Sequence, residues 1–200
     1  MTSSTTPTPA NTTGPDGTAL VYTGGTRPGP GDTLCVYADL RCPFCKRVER
    51  GLGAVMEELA AEGRLTLEYH FATFIDEAAG GTGSLRALSA VGAASDIGPT
   101  ESLRYIRALY ASQPAEDHDL FAETDALLRI AEEVDGLRGP RFDRQVTEGA
   151  YLPWARRVAD AFKASGVTGT PTVLFNGRPV SVISPMGYAV TREAFLAELE

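Results

Sequence analysis

Cysteine is scarce in this 200-residue chain, which has three. That is too few for a small scaffold held together by disulfides. Histidine occurs twice, and neither histidine stands in the paired spacing that structural zinc sites commonly use. No run approaches the ~18 apolar residues that a membrane helix needs. The first twenty residues, MTSSTTPTPANTTGPDGTAL, hold no basic n-region and no apolar h-region, so no secretory signal is visible. The default expectation is a soluble cytoplasmic protein, although a chain from which an export signal had been removed would read the same way. Positive charge is in deficit, with 18 Lys and Arg against 26 Asp and Glu and a net charge of −8. That balance argues against a nucleic-acid partner, which would favour basic patches.

What remains is ordinary for a globular protein: 43% hydrophobic and 22% charged residues, in a length that suits one domain or one domain carrying an insertion. Residues 1–17, mostly Thr, Ser, Pro and Gly, read as a disordered arm. TALVYT from Thr18 is a short strand, RPGPGD from Arg27 a turn cluster, and TLCVYA from Thr33 a buried strand. Val48, Leu52, Val55, Leu59 and Ala60 recur at helical spacing until Gly63, with Gly51 and Gly53 as a weak point where a kink is expected. LTLEYHF from Leu65 alternates as a strand does, completing a strand–helix–strand unit.

From Ser84 to about Ala150 only helices are expected. Leu85, Leu88 and Val91 mark the first, and Thr100 caps a second carrying Leu103, Ile106 and Leu109. Leu120, Leu127, Ala131 and Val134 mark a third, and Phe142 and Val146 a short fourth. A further helix holds Trp154, Val158, Ala161 and Phe162 and stops at Gly166. PTVLF, Asn176-Gly177 and PVSVI then predict a hairpin, and TREAFL opens a last helix.

Two of the three cysteines stand together in DLRCPFCKRV, residues 39–48. A strand is expected to end near Ala38 and a helix to begin at Pro43, whose missing N–H costs nothing in the first helical position. Cys42 then falls at the N-cap and Cys45 within the first turn. The helix N–H groups, with Arg41, Lys46 and Arg47 nearby, favour a thiolate at Cys42. Such settings lower a cysteine pKa to roughly 3.5–7.5, against ~8.5 for a free thiol. Cys42 is expected as the exposed nucleophile and Cys45, one turn inward, as the resolving thiol. Half a zinc site and two inert core thiols are the competing readings. Zinc needs further ligands, and Cys35, His70 and His118 lack paired spacing, so no metal site is expected. The strand, C-P-x-C and amphipathic helix together favour a redox dithiol.

VYADLRCPFC, from Val36 to Cys45, resembles the active-site segment of the DsbA-like thioredoxin-fold oxidoreductases, in which an acidic residue often stands where Asp39 does. GVTGTPTVLFNG, from Gly166 to Gly177, resembles the family's other hallmark, a threonine or valine before a cis-proline that opens a strand. ALYASQP, from Ala108 to Pro114, and the helices around it resemble the family's helical insertion. The resemblance covers about residues 34–200. By itself Pro171 reads as a trans proline opening an edge strand; the resemblance implies a cis Thr170–Pro171 bond in a loop lying against the two sulfurs.

The resemblance further implies a thioredoxin-like α/β fold with an inserted helical subdomain. The thioredoxin-like part would comprise residues 18–83 and 151–200, and the insertion residues 84–150, packed over the active-site face. Catalysis would rest on Cys42 and Cys45, and substrate contact on Thr170, Pro171, Pro43 and Phe44. The implied reaction is thiol–disulfide exchange with protein or small-molecule thiols and disulfides, recycled by an unidentified redox partner, with no cofactor. Val36 departs from the pattern, because better-known members carry a buried acid there; Asp39 is left either to take protons or to cap loop N–H groups. A non-catalytic peptide-binding module, and an enzyme like the kappa glutathione transferases and their isomerase relatives, are the alternatives. Cys35, His70 and His118 read as ordinary: a buried inert thiol, a hydrogen-bonded strand histidine and a solvated histidine.

Overall fold

The structure, a computed structural model, describes residues 7–14, 17–24 and 31–200. Most of the expected turn cluster at Arg27 lies outside the described residues, as do residues 1–6, 15 and 16 of the N-terminal arm. Within that arm, Thr12–Thr13 form a strand (β1) that pairs antiparallel with Ala19–Tyr22 (β2), so this stretch is ordered rather than loose. The Ala10 N–H donates to Asp96 at 3.1 Å, which ties the arm to a distant helix end and explains why a Thr-rich stretch can order.

Thr33–Asp39 (β3) leads through a two-residue turn and Cys42 into Pro43–Ala61 (α1), and Thr66–Ala72 (β4) returns parallel to β3. α1 runs unbroken through the two glycines. A Cβ on Gly51 would stand 2.6 Å from the Ala189 side chain, and one on Gly53 2.3 Å from the Glu49 carboxylate, so both glycines answer close approaches. Val48, Leu52, Val55, Met56 and Leu59 line the buried stripe of α1 and share one core with Leu34, Val36, Leu67 and Tyr69 of the strands. Each such side chain contributes roughly 1.5–3 kcal/mol on full burial.

Phe74–Ala79 (α2), which no sequence pattern announced, follows β4. The chain then leaves the sheet for Gly83–Ser95 (α3), Pro99–Ala111 (α4), a 3-10 turn at Leu120–Ala122, Thr124–Ala131 (α5) and Pro140–Glu148 (α6). α4 is entered by Gly98 and Pro99 rather than capped by Thr100. Proline fits a first helical turn and sets its start two residues early. Leu152–Ala164 (α7) brings the chain back to Thr172–Phe175 (β5) and Arg178–Val180 (β6). The β5–β6 turn has Asn176 and Gly177 at φ 51° and 80°, the positive values a tight hairpin requires. Arg192–Ala197 (α8) starts at Thr191, whose hydroxyl accepts from the Ala194 N–H at 3.2 Å.

The six strands run in the order β1-β2-β4-β3-β5-β6, which puts β3 between β4 and β5. The fold is the expected thioredoxin-like α/β architecture. No helix among the described residues is long and apolar enough to cross a membrane.

Candidate active site

The end of a central strand and the start of a helix present the two cysteines together. Cys42 is the N-cap of α1 with extended backbone, and Pro43 occupies the first helical position. The turn is closed by the Cys42 N–H donating to the Asp39 carbonyl at 3.0 Å. The strand-to-helix junction expected from the sequence is therefore present. Both thiols are free.

Exposure departs from expectation. Cys42 is buried, with 4% of its surface accessible, about as little as Cys45 with 3%. The loop before β5 covers it: the Cys42 thiol donates to the Thr170 carbonyl at 3.5 Å, and the Thr170–Pro171 bond is cis. Phe44, between the cysteines, is the exposed residue of the motif, and Pro43 and Pro171 are partly buried.

The two sulfurs are electrostatically unlike. Cys42 is lowered from 9.0 to about 6, first by the Cys45 thiol, then by Thr170 and the backbone N–H groups of Cys45 and Phe44, against the opposing effect of burial. Cys45 is held well above its ordinary value by burial, by its hydrogen bond with Cys42 and by the Cys42 charge. As a pair they titrate in sequence, Cys42 first. The Thr170 hydroxyl is buried and makes no regular hydrogen bond, yet it stabilises the Cys42 charge.

The cations expected to assist are occupied elsewhere. Arg41, 3% exposed, donates to Asp76 at 2.9 Å, to the Gly80 carbonyl at 2.8 Å and to the Glu116 carbonyl at 2.9 Å, with Asp119 at 3.1 Å. Lys46 donates to the Gln113 carbonyl at 2.9 Å. Arg47 donates to the Gly187 carbonyl and lies 4.8 Å above the Phe44 ring. The stabilisation of the thiolate is local to the thiol pair, Thr170 and the helix end.

Asp39 is fully buried and accepts from the Ser84 hydroxyl at 2.6 Å, the Arg41 N–H at 3.0 Å and the Ile75 N–H at 3.1 Å. It caps the active-site turn and the start of α2. Burial raises it from 3.8 to about 6 despite those three donors.

Three residues were not singled out by sequence reasoning. Gln113, just past α4, donates its amide to the Leu40 carbonyl at 2.8 Å and the Cys42 carbonyl at 3.2 Å, and so clamps the active-site turn from the helical region. Tyr110 donates to the Asp39 carbonyl at 3.2 Å, and burial first, then the charges of Cys45, Glu49, Tyr69 and Asp39, oppose its ionisation. Glu49 is buried at 5% exposure, receives the Tyr69 hydroxyl at 3.0 Å and lies 3.6 Å from Arg107. Glu49 had a visible signal, because it follows Cys45 by four residues and precedes Leu52 by three on the apolar stripe of α1. Gln113 and Tyr110 had none beyond the ALYASQP segment that contains them.

The remaining histidine and cysteine fall into two places. His118 stands in the loop before the 3-10 turn. Cys35 is raised to about 11 by burial and by Glu68, which keeps it a protonated thiol.

A sequence model of the family described as Thioredoxin matches residues 29–192. No curated protein matches the chain. Among solved structures, oxidised DsbA of Mycobacterium tuberculosis is 27% identical with a TM-score of 0.69, over 82% of this chain and 85% of that one. Reduced disulfide bond oxidoreductase DsbG of the same organism is 26% identical with a TM-score of 0.71, over 84% and 82%. MdbA of Actinomyces oris, a thiol-disulfide oxidoreductase, shares the fold at 22% identity and a TM-score of 0.67, over 82% and 80%. With the family match spanning most of its length, the chain belongs to the thioredoxin family.

Proposed function

We propose that this protein is a DsbA-type thiol–disulfide oxidoreductase working through Cys42 and Cys45. The observation that carries the reading is the unequal pair itself: one thiol lowered to about 6 beside one held well above 9.0, at a helix start facing the Thr170 loop. A thiolate at neutral pH is the attacking species in disulfide exchange, and a protonated partner is what must wait its turn.

In the reducing direction, the Cys42 thiolate attacks a substrate disulfide, forms a mixed disulfide and expels one substrate thiolate. Cys45 then loses its proton and attacks the Cys42 sulfur, so the second substrate thiolate leaves and the Cys42–Cys45 disulfide forms. Two electrons pass to the substrate. The reverse sequence oxidises a substrate dithiol. Thr170 and Pro171, with Pro43 and the exposed Phe44, form the contact surface for the substrate, the Thr170 backbone pairing with an extended peptide as an added strand would. Protein thiols and disulfides are the substrates in this reading, small-molecule thiols a second class, and a cytoplasmic site of action belongs to it. Residues 84–150 act as the insertion that borders the active-site turn, through Tyr110 and Gln113.

Reduction of insulin by dithiothreitol in the presence of the protein tests the reading. Acceleration that Cys42→Ser abolishes is expected. No acceleration, with peptide binding retained, would leave the non-catalytic binding module instead. The Cys42–Cys45 reduction potential then sets direction: about −120 mV marks a strong oxidant and about −270 mV a reductant of the thioredoxin kind.

A further inference from the structure

The sheet carries a second cluster of reactive side chains, on the face opposite α1. Along β3 and β4 the residues facing α1 are Val36 and Tyr69, and the Tyr69 hydroxyl reaches Glu49 of that helix. Their neighbours Cys35, Glu68 and His70 point the other way, with Cys35 directly paired to Glu68 across the parallel ladder. The Cys35 sulfur, a Glu68 carboxylate oxygen and a His70 ring nitrogen all lie within 4.8 Å of one another. The sulfur donates to Glu68 Oε2 at 3.8 Å, and His70 Nε2 stands 3.4 Å from the same oxygen.

Tetrahedral zinc bound at 2.0–2.3 Å holds its ligand atoms roughly 3.4–3.6 Å apart. The separations of 3.8 and 3.4 Å around Glu68 Oε2 bracket that range, so a metal fits with small side-chain adjustments. A second observation is independent of the spacing. His70 Nε2 is shut off from solvent and makes no hydrogen bond, although Glu68 Oε2 stands 3.4 Å away. A buried ring nitrogen without a hydrogen bond is costly, and a metal ion would satisfy it. The ring is held in place by Tyr37, stacked on it at 4.6 Å with the planes 16° apart. Beyond it lies a cavity of about 570 Å³, bordered by Tyr37, His70, Phe71, Val158 and Phe162.

We propose that Cys35, Glu68 and His70 form a zinc-binding site, distinct from the dithiol, with the fourth position taken by water or a small ligand. The donor set argues for zinc: thiolate, imidazole and carboxylate together suit this borderline ion, whereas calcium and magnesium take oxygen alone. Binding replaces the Cys35 S–H bond by a Zn–S bond and releases that proton to solvent, with no change of oxidation state. The ion ties β3 to β4 and withdraws the third thiol of the chain from disulfide exchange.

The test uses the full protein with Cys42 and Cys45 oxidised to their disulfide, so that Cys35 is the one thiol left and the dithiol cannot chelate. Cobalt(II) serves as the spectroscopic probe and zinc as its competitor. A thiolate-to-cobalt charge-transfer band that saturates at one ion per chain and is displaced by zinc is expected. Zinc should also slow iodoacetamide alkylation of Cys35. Cys35→Ser should abolish the band, and Glu68→Gln and His70→Gln should each weaken binding by more than the ~10–100-fold that loss of a merely supporting residue costs. Absence of the band in the oxidised wild-type protein overturns the proposal, whatever the variants do. So does cobalt binding that survives Cys35→Ser. Insulin reduction by the same preparation after re-reduction reports on the dithiol separately.

Discussion

The Cys42 thiol donates to the Thr170 carbonyl oxygen across 3.5 Å, joining the start of α1 to a loop 128 residues further along the chain. The carbonyl contact covers the Cys42 sulfur, while the Thr170 side chain is among the groups that favour its thiolate. When Cys42 ionises, that carbonyl loses its donor, and under the proposed mechanism it then accepts the N–H of an incoming peptide.

The first prediction follows from that arrangement. Iodoacetamide alkylation of the reduced protein, followed against pH, should give a Cys42 midpoint near 6. Thr170→Val keeps the branched shape and removes the hydroxyl, so the midpoint should rise. Lys46→Ala and Arg47→Ala should leave it nearly unchanged, because both cations are engaged with carbonyls of Gln113 and Gly187. A midpoint at the free-thiol value of ~8.5, or a large rise in the Arg47 variant, would contradict the local origin of the shift.

The second prediction separates the two roles of Cys45. Under the proposed mechanism it resolves mixed disulfides, and its thiol is the largest single support of the Cys42 thiolate. Cys45→Ser keeps an O–H donor, while Cys45→Ala keeps none. Both should accumulate mixed disulfides with a disulfide substrate, seen on non-reducing gels and lost with reductant. Cys42→Ser should accumulate none. The Cys42 midpoint should be higher in Cys45→Ala than in Cys45→Ser; equal midpoints would mean that the Cys45 thiol does not hold the charge.

A third prediction concerns stability against pH. The folded-state pKa of Cys42 is depressed from 9.0 to about 6. Between those values the unfolded chain binds the proton and the folded one does not, so stability of the reduced protein rises with pH. The contribution is complete above 9 and is lost as pH falls through 6, with a slope on the order of 1.4 kcal/mol per pH unit. Asp39 works in a lower window with the opposite sign. Raised to about 6, it contributes stability that is present below 3.8 and lost as pH rises through 6. Urea unfolding of reduced and oxidised protein in parallel isolates the thiol contribution, because Asp39 is common to both. Curves that stay parallel from pH 6 to 9 would remove the effect.

The dithiol site was legible because local rules of different kinds coincide there. A buried strand, a proline fit for the first helical turn and an apolar stripe from Val48 to Leu59 each fix one feature of the junction. What was not legible depends on contacts between distant segments. Cys42 looked exposed because nothing in DLRCPFCKRV reveals that Thr170 closes over it. Arg41 looked like a helper of the thiolate because its neighbours in sequence are the cysteines, whereas its partners Asp76 and Asp119 come from elsewhere. Cys35 and His70 looked unrelated at a separation of 35 residues, yet a parallel strand pairing makes them near neighbours. The short helix α2 escaped because six residues carry too little periodicity, and its start is fixed by the Asp39 side chain rather than by a cap of its own.

The last prediction concerns Arg41. Its guanidinium joins the active-site turn to α2 and to the loop ahead of the 3-10 turn through two carboxylates and two carbonyls. Asp76 in turn accepts the Ser84 and Leu85 N–H groups at 2.8 and 3.0 Å, so the start of α3 hangs on the same cluster. Arg41→Met would leave Asp76 largely enclosed without its counter-charge, and breaking a buried pair in this way costs about 3–5 kcal/mol. Arg41→Lys should recover only part of that, since one ammonium cannot span four acceptors held in a planar fork. Urea unfolding measures the loss, and the Cys42 alkylation midpoint serves as the second reading. A large loss of stability with that midpoint unmoved identifies Arg41 as the brace of the turn. A loss below ~1 kcal/mol, the scale of an exposed ion pair, would show that the cluster is not held as tightly as its burial implies.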